Sequence, residues 1–242
     1  NIRKILSKIK NKNIFTYGLN KISNYHISKI RYKIDHSIFD LSYKDINKIS
    51  KKIKNIQLKL LGKHYVRNAT AAIIVCLNLG VKEKVIKQSL KKFSGVQRRM
   101  TKILTKNKND FYDDYAHHPT EISSILDGVK NVYKDRKIIS VFEPHRYSRV
   151  LALKKEFAKS FYKSDLDLLC PIYSAGEKKN YKYDKIEFAK MISNFSKTQV
   201  ILIKDYTEIE KYFKKNLMDD EIIIGMGAGS ISKYMQELKT RL

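Results

Sequence analysis

The sequence predicts an α/β protein in two parts, the second built on a mainly parallel, doubly wound sheet. From about Thr101 onward, short strand-like runs alternate with amphipathic, helix-like ones. Those strand-like runs are almost continuously apolar, as strands covered on both faces are. A third observation bears on function: the unusual polar residues of this half fall where the apolar runs end.

The first part begins with the runs NIFTYGL, HISKIRYKI, SIFDLSY and NIQLKLLG, between residue 13 and about residue 62. Their alternation of apolar and polar residues has period two and predicts strands. VRNATAAIIVCLNLGV follows, with an Ala-rich apolar face that predicts a buried helix, and then KEKVIKQSLKKF, a second, amphipathic one. FSGVQRRM breaks the helical pattern and sets the boundary between the parts near Arg98 to Thr101. In the second part DFYDDYA predicts a strand leading to a helix from about Pro119, and KIISVFEP a strand leading to a helix from about Tyr147. LDLLCPIY predicts a strand, then a loop and a helix near Ile186. QVILIK with YTEIEKYFKKNL, and EIIIGMGAG with SISKYMQELKTRL, complete the alternation.

At 242 residues, 43% of them hydrophobic, the chain can bury a sizeable core. No run reaches the roughly eighteen apolar residues of a membrane span, and NIRKILSKIKNKN is too interrupted by lysine for a secretory signal. A cytoplasmic location is expected. Cys76 and Cys170 lack metal spacing and are expected to be reduced packing residues. The chain opens on Asn with no start-like segment, so it is expected to be the tail of a longer protein. A formal charge of +26 ordinarily points to a polyanionic partner. Here the excess is nearly all lysine, scattered over helices and turns without an RNP-type motif, zinc-finger spacing or basic tail, which argues against nucleic acid as the main partner.

In a doubly wound sheet, ligands bind beyond the carboxyl ends of the strands, where strand-to-helix loops and helix N-termini gather. DDYAHHPTE, EPHRYSR, YSAGEKK and GAGS all fall there, and they hold three of the six histidines: His117, His118 and His145. Pro119 to Glu121 reads as a helix start, which accounts for the proline and the glutamate but not for two imidazoles. Adjacent histidines on an extended segment point apart, and no third ligand has metal spacing, so no metal site is expected. Arg146 and Arg149 would share a face of a helix starting there and could fork onto a carboxylate or phosphate; an exposed basic turn is the plainer alternative. In a chain that prefers lysine, arginine in QRRM and HRYSR argues for bidentate geometry. GMGAGS has Ser230 where a dinucleotide fingerprint has its third glycine, and reads as a tight turn. The sequence holds no GxxxxGK[ST] phosphate loop, no Ser-centred nucleophile elbow and no Cys/His pairing of catalytic type.

GKHYVRNATAA, FSGVQRRM, DDYAHHPTE, FEPHRYSR and GAGS, in this order over essentially the whole chain, resemble the C-terminal half of the Mur ligases. The resemblance implies that residues 1–98 are the C-terminal part of that family's central ATPase domain, and residues 99–242 its Rossmann-like C-terminal domain. The UDP-sugar domain and the phosphate loop would then lie upstream, and this chain alone would be inactive. The implied chemistry is ATP-dependent activation of a carboxylate to an acyl phosphate, then attack by an amino group. EPHRYSR favours the activity that joins L-alanine to UDP-N-acetylmuramate in peptidoglycan synthesis, the cell-wall biogenesis on which cell shape, the cell cycle and division depend. ATP and Mg2+ are the implied cofactors, with the Mg2+ ligands upstream.

By the same resemblance Asn68 reads adenine, and Arg99 and Asp114 hold the ribose and phosphates of ATP. Tyr115, His117, His145, Arg146 and Arg149 bind substrate, the last three receiving alanine and its carboxylate, while Asp114, His117 and Arg99 form the catalytic set. Both substrates are anionic, so arginines and oriented N–H donors suit such a site. Tyr65 departs from the family, which has Asn there; a phenol cannot supply an amide's paired donor and acceptor. Two alternatives stand beside this reading. One is the sister activity of murein-tripeptide recycling, which shares the DD-[YF]-A-H-H-P segment, and the other is a non-enzymatic nucleotide- or nucleic-acid-binding module.

Overall fold

A computed structural model describes residues 14–45 and 47–242. They form two compact units: residues up to Lys59 with His64–Phe93, and Leu60–Lys63 with Ser94–Leu242. The division falls a few residues before the boundary expected from FSGVQRRM.

In the first unit β1 (Tyr17–Gly18), β2 (Tyr25–Tyr32), β3 (Ser37–Lys44) and β4 (Ser50–Leu58) form a sheet in that order, with β1 parallel to β2 and the other pairs antiparallel. Alternation places Ile27, Phe39 and Leu41 in the core, and a bulge in the β3–β4 pairing brings Ile53 and Ile56, three residues apart, to the same core. β4 begins five residues before the apolar pattern of NIQLKLLG does, because the lysine-rich SKKIK pairs with the end of β3, Lys44 opposite Ser50. α1 (Lys63–Asn78) buries Tyr65, Val66, Ala69, Ile73 and Ile74, and α2 (Glu83–Lys92) buries Ile86.

The second unit carries a six-stranded sheet in the order β5 (Thr101–Lys106), β6 (Asn109–Asp114), β10 (Ile222–Met226), β7 (Ile138–Phe142), β8 (Leu166–Leu169), β9 (Gln199–Leu202). Only β5, against β6, is antiparallel. The helices α3 (Pro119–Val132), α4 (Tyr147–Ala152), α5 (Lys154–Lys159), α6 (Lys185–Ser196), α7 (Tyr206–Asn216) and α8 (Ile231–Arg241) connect the strands or close the chain. β7, β8 and β10 are buried along their whole length, as their continuous apolar sequences require.

Two features differ from the sequence expectation. β5 joins β6 through Asn107 and Lys108, both at positive φ (49° and 60°), a two-residue hairpin of the kind usually signalled by glycine. The helix expected from Tyr147 breaks at Leu153 (φ −120°, ψ 26°) into α4 and α5.

The strand order matters most for the site. β10 inserts between β6 and β7, with Met226 opposite both Asp114 and Phe142. The loop after the last strand therefore lies between DDYAHH and EPHRYSR at the carboxyl edge of the sheet.

Candidate functional site

The loop after β6 is organised by buried carboxylates. Asp114 is fully buried; its Oδ2 accepts the Met100 N–H at 2.8 Å and its Oδ1 the Ala116 N–H at 2.7 Å. It thereby ties the turn carrying Arg98 and Arg99 to the loop carrying Tyr115 and His117, a tie reinforced by Tyr115 N–H donating to Arg98 O at 2.7 Å. Its neighbour Asp113 accepts the Ser232 hydroxyl at 2.5 Å, and burial holds its carboxyl above the usual range.

Both arginines lie over the Tyr115 ring, Arg98 at 4.7 Å and Arg99 at 5.6 Å. Arg98 also donates to Gly227 O at 2.8 Å, joining this loop to the loop after β10. Arg99 stays about one-third exposed, 3.7 Å from Glu121.

The two histidines separate in role. His118 is the N-cap of α3: its Nδ1 accepts from the Thr120 N–H at 3.3 Å while Glu121 accepts the His118 N–H at 3.2 Å, a reciprocal cap. His117 instead donates through Nδ1 to Tyr115 O at 2.8 Å, since a carbonyl can only accept, and its ring meets His145 edge-on at 5.7 Å. Capping thus accounts for Glu121, as expected, and also for His118, which the sequence pattern sets apart from the cap, while His117 turns toward the second cluster.

That cluster follows β7. His145 bridges to Tyr173, at the start of YSAGEKK, as one further step of parallel sheet; Tyr173 N–H donates to Pro144 O at 2.8 Å and Arg146 N–H to Tyr173 O at 2.9 Å. Ser148 donates its N–H and hydroxyl to the Glu177 carboxylate at 3.0 and 2.5 Å, fastening the same loop to α4. Arg149, in the first turn of α4, donates to His145 Nδ1 at 3.0 Å.

Burial, and then the neighbouring charges of Arg149, His117 and Arg146, hold the His145 imidazole below its usual pKa, with Glu177 opposing. Arg146 stands outside α4 as its N-cap, at φ 68°, so the expected common helical face with Arg149 does not form. Arg146 is exposed and, among the described residues, makes no side-chain hydrogen bond or ion pair.

Between the two clusters lies Glu143, 2% exposed. Its Oε2 accepts the hydroxyls of Tyr206 and of Ser230, the latter at 2.7 Å, while its Oε1 has no hydrogen-bond partner among the described residues. A Cβ at Gly229 would lie 2.4 Å from that Oε1 and 2.5 Å from the Tyr173 ring. The second glycine of GAGS is therefore demanded by close packing between neighbouring loops.

Sequence reasoning did not single out Glu143, Tyr173 or Tyr206, and it noted Arg98 only as part of QRRM, with no role of its own. The first two lie inside the polar stretches EPHRYSR and YSAGEKK, whereas the part played by Tyr206 emerges only from strand order.

In the first unit Asn68 is exposed on α1, its amide open to a ligand. Tyr65 is buried, its ring centroid 3.9 Å from that of His64. Arg99, cationic and partly exposed, fits a phosphate, whereas both carboxylate oxygens of Asp114 are engaged by backbone amides, which fits a residue that shapes the loop. Among the described residues no group of three or more His, Cys, Asp or Glu side chains is placed to hold a metal ion, and no helix is long and apolar enough to cross a membrane. Cys170 is buried and Cys76 partly so, both as free thiols.

The carboxyl edge of the second unit is thus a cationic rim of four arginines around two imidazoles, suited to a small carboxylate. Residues 98–229 match the family described as Mur ligase, glutamate ligase domain, and residues 1–76 match Mur ligase middle domain. The chain is 45% identical over 238 residues to the UDP-N-acetylmuramate–L-alanine ligase of Pelagibacter ubique, covering 98% of this chain and 51% of the relative. It is 37% identical over 236 residues to that of Hydrogenobaculum, covering 98% and 50%. Among solved structures, the UDP-N-acetylmuramate–alanine ligase of Thermotoga maritima superposes with a TM-score of 0.74 at 23% identity, over 94% of this chain and 47% of that one. The murein peptide ligase of Psychrobacter arcticus gives 0.63 at 24% identity, over 93% and 45%. At these identities the two structures show a shared fold. The chain spans about half the length of the curated relatives it matches.

Proposed function

The chain belongs to the Mur ligase family, and from that premise we propose that it carries the amino-acid-receiving half of an ATP-dependent ligase joining L-alanine to UDP-N-acetylmuramate in peptidoglycan synthesis. The observation that carries this reading is the Arg149–His145 contact at 3.0 Å, set beside His117 at the carboxyl edge of a parallel sheet. The Pelagibacter relative, named for this reaction, supports it.

In this reading Arg149, helped by exposed Arg146, takes the α-carboxylate of alanine. His145 stays neutral beside them, so its Nε2–H can donate to substrate while Nδ1 accepts from Arg149. His117, its Nδ1 occupied by Tyr115 O, presents Nε2 to the same space. These groups bind and orient the amino acid; most of the rate gain of such a site comes from that positioning and from charge stabilisation.

When bound, ATP supplies the energy that activates the sugar's carboxylate. Arg99 suits its phosphates and Asn68 its adenine, while Asp114 acts by holding the Arg99 turn in place. Mg2+ would accompany ATP, and no ligand for it is assigned in this chain. We assign residues 1–98 to the family's central domain and 99–242 to its C-terminal domain. ATP and a UDP-linked substrate are cytoplasmic metabolites, which supports a cytoplasmic location.

The test is phosphate release by the protein expressed from its intact gene. Turnover should require ATP, UDP-N-acetylmuramate and L-alanine together. Turnover with the murein tripeptide in place of L-alanine would move the reading to the recycling activity, and no dependence on either would overturn it.

A further inference from the structure

We propose that Tyr173 is the wall that limits the amino-acid side chain to about one carbon. It does so by closing the space beside the Arg149–His145 pair. This rests on the reading of Arg149 as the partner of the substrate carboxylate.

Tyr173 is 41% exposed, yet both its backbone and its ring have close partners. Its backbone is pinned on both sides, by N–H to Pro144 O at 2.8 Å and by Arg146 N–H to its own carbonyl at 2.9 Å. The ring lies nearly parallel to His145, at 5.6 Å and 12°. The backbone of Gly229 approaches the ring so closely that an added Cβ would sit 2.5 Å from ring carbon Cγ and 2.7 Å from Cδ2. The Gly229 loop cannot give way freely either, because the buried Glu143 beneath it is held by Tyr206 and Ser230.

An amino acid whose carboxylate sits on Arg149 lies against His145, because those two side chains touch. Its side chain then meets the next surface in the stack, the Tyr173 ring, whose retreat is blocked where Gly229 approaches it. A methyl group fits beside such a surface, and longer chains collide with it. Excluding one or two methylenes through a rigid wall discriminates by about 10- to 200-fold in kcat/KM.

A ring that only supported His145 would behave differently. Its loss would weaken catalysis with every amino acid alike and leave the ratios unchanged.

The experiment compares kcat/KM for L-alanine, L-2-aminobutyrate and L-valine in the intact-gene product and in Tyr173→Ala, Tyr173→Leu and Tyr173→Phe. Tyr173→Ala is expected to raise the ratio of L-2-aminobutyrate to L-alanine at least about tenfold, Tyr173→Leu to raise it less, and Tyr173→Phe to keep the wild-type ratio. KM for ATP should not change. Retained L-alanine turnover with unaltered ratios in both Tyr173→Ala and Tyr173→Leu would overturn the wall while leaving the ligase reading intact. Loss of L-alanine turnover in both, at wild-type melting temperature, would also overturn it, by placing the ring in the chemistry. A wild-type protein that does not use L-alanine at all would sink the ligase reading, and the wall with it.

Discussion

Arg149 donates a hydrogen bond to Nδ1 of His145 at 3.0 Å. A guanidinium cannot accept, so this contact exists only while that nitrogen carries no proton. Burial and the adjacent cations push the imidazole the same way, toward the neutral form. His145 should therefore titrate below its ordinary value of 6.5. Its contribution to stability is fully present above 6.5 and is lost as pH falls through the folded-state pKa, because the unfolded chain takes up the proton first. NMR titration of the His145 ring checks the direction. Arg149→Ala should move the midpoint upward by removing one of the opposing charges, and an unmoved midpoint would mean that Arg149 has no part in setting it.

Asp114 is predicted to matter through stability before kinetics. Its two carboxylate oxygens satisfy the Met100 and Ala116 amides in a fully buried setting. Asp114→Ala strands both donors, and hydrogen bonds to a charged group contribute about 1.5–3 kcal/mol each, so a loss of about 3 kcal/mol or more is expected. That corresponds to a melting temperature lower by roughly 6–12 °C for a chain of this size. Asp114→Asn, which keeps one acceptor, should lose less. An unchanged melting temperature with a raised KM for ATP in Asp114→Ala would instead make this carboxylate a direct ligand contact.

The alternation of strands and helices after Thr101 was legible because strands buried on both faces, such as IISVF and IIIGM, must be apolar throughout. The placement of DDYAHHPTE and EPHRYSR at one sheet edge followed from that alternation. β5 was not legible, since its hairpin uses Asn107 and Lys108 at positive φ where a glycine would have signalled the turn. Strand order was hidden for a different reason: the insertion of β10 between β6 and β7 is a long-range choice with no local periodicity. Everything that depends on it, including the packing of Gly229 against Glu143 and Tyr173, was therefore invisible in the sequence. The division of labour between His117 and His118 was not legible: PTE announces a helix start, but Pro and Glu account for it by themselves, and nothing local says that an imidazole serves as the N-cap.

Away from the site, Asp167 in β8 should make stability fall with rising pH. It is almost wholly enclosed, accepts the Ser140 hydroxyl on Oδ1 and, among the described residues, has no hydrogen-bond partner on Oδ2. Burial pushes its carboxyl up to about 7, from an unfolded value near 3.8. Between those values the folded chain binds the extra proton, so the contribution is fully present below 3.8 and lost as pH rises through about 7. At 1.36 kcal/mol per pH unit, the two units from pH 5 to 7 amount to about 2–3 kcal/mol. Urea denaturation at pH 5 and pH 8 should show Asp167→Asn gaining on the wild type by about that amount at the higher pH. An equal difference at both would show that Asp167 ionises normally in the folded chain.

The last prediction separates the two arginines of HRYSR, which the sequence treats alike and the structure does not. Arg149 is half-buried in α4 and engaged with His145, while Arg146 precedes the helix at φ 68°, exposed and without a side-chain partner among the described residues. Lysine at 149 would keep the charge but lose both the planar fork and the geometry that meets Nδ1 of His145 while leaving donors for a carboxylate. In the intact-gene product, Arg149→Lys is expected to raise KM for L-alanine at least about tenfold, on the order of 1.4 kcal/mol, with KM for ATP little changed. Arg146→Lys should raise it by a smaller factor, since a solvated cation contributes mainly charge and lysine retains that. Michaelis constants for both substrates, measured in both variants, decide the matter. Equal effects would make Arg146 and Arg149 a symmetric clamp, and an unchanged alanine KM in Arg149→Lys would remove this arginine from the site and leave His145 as its only partner.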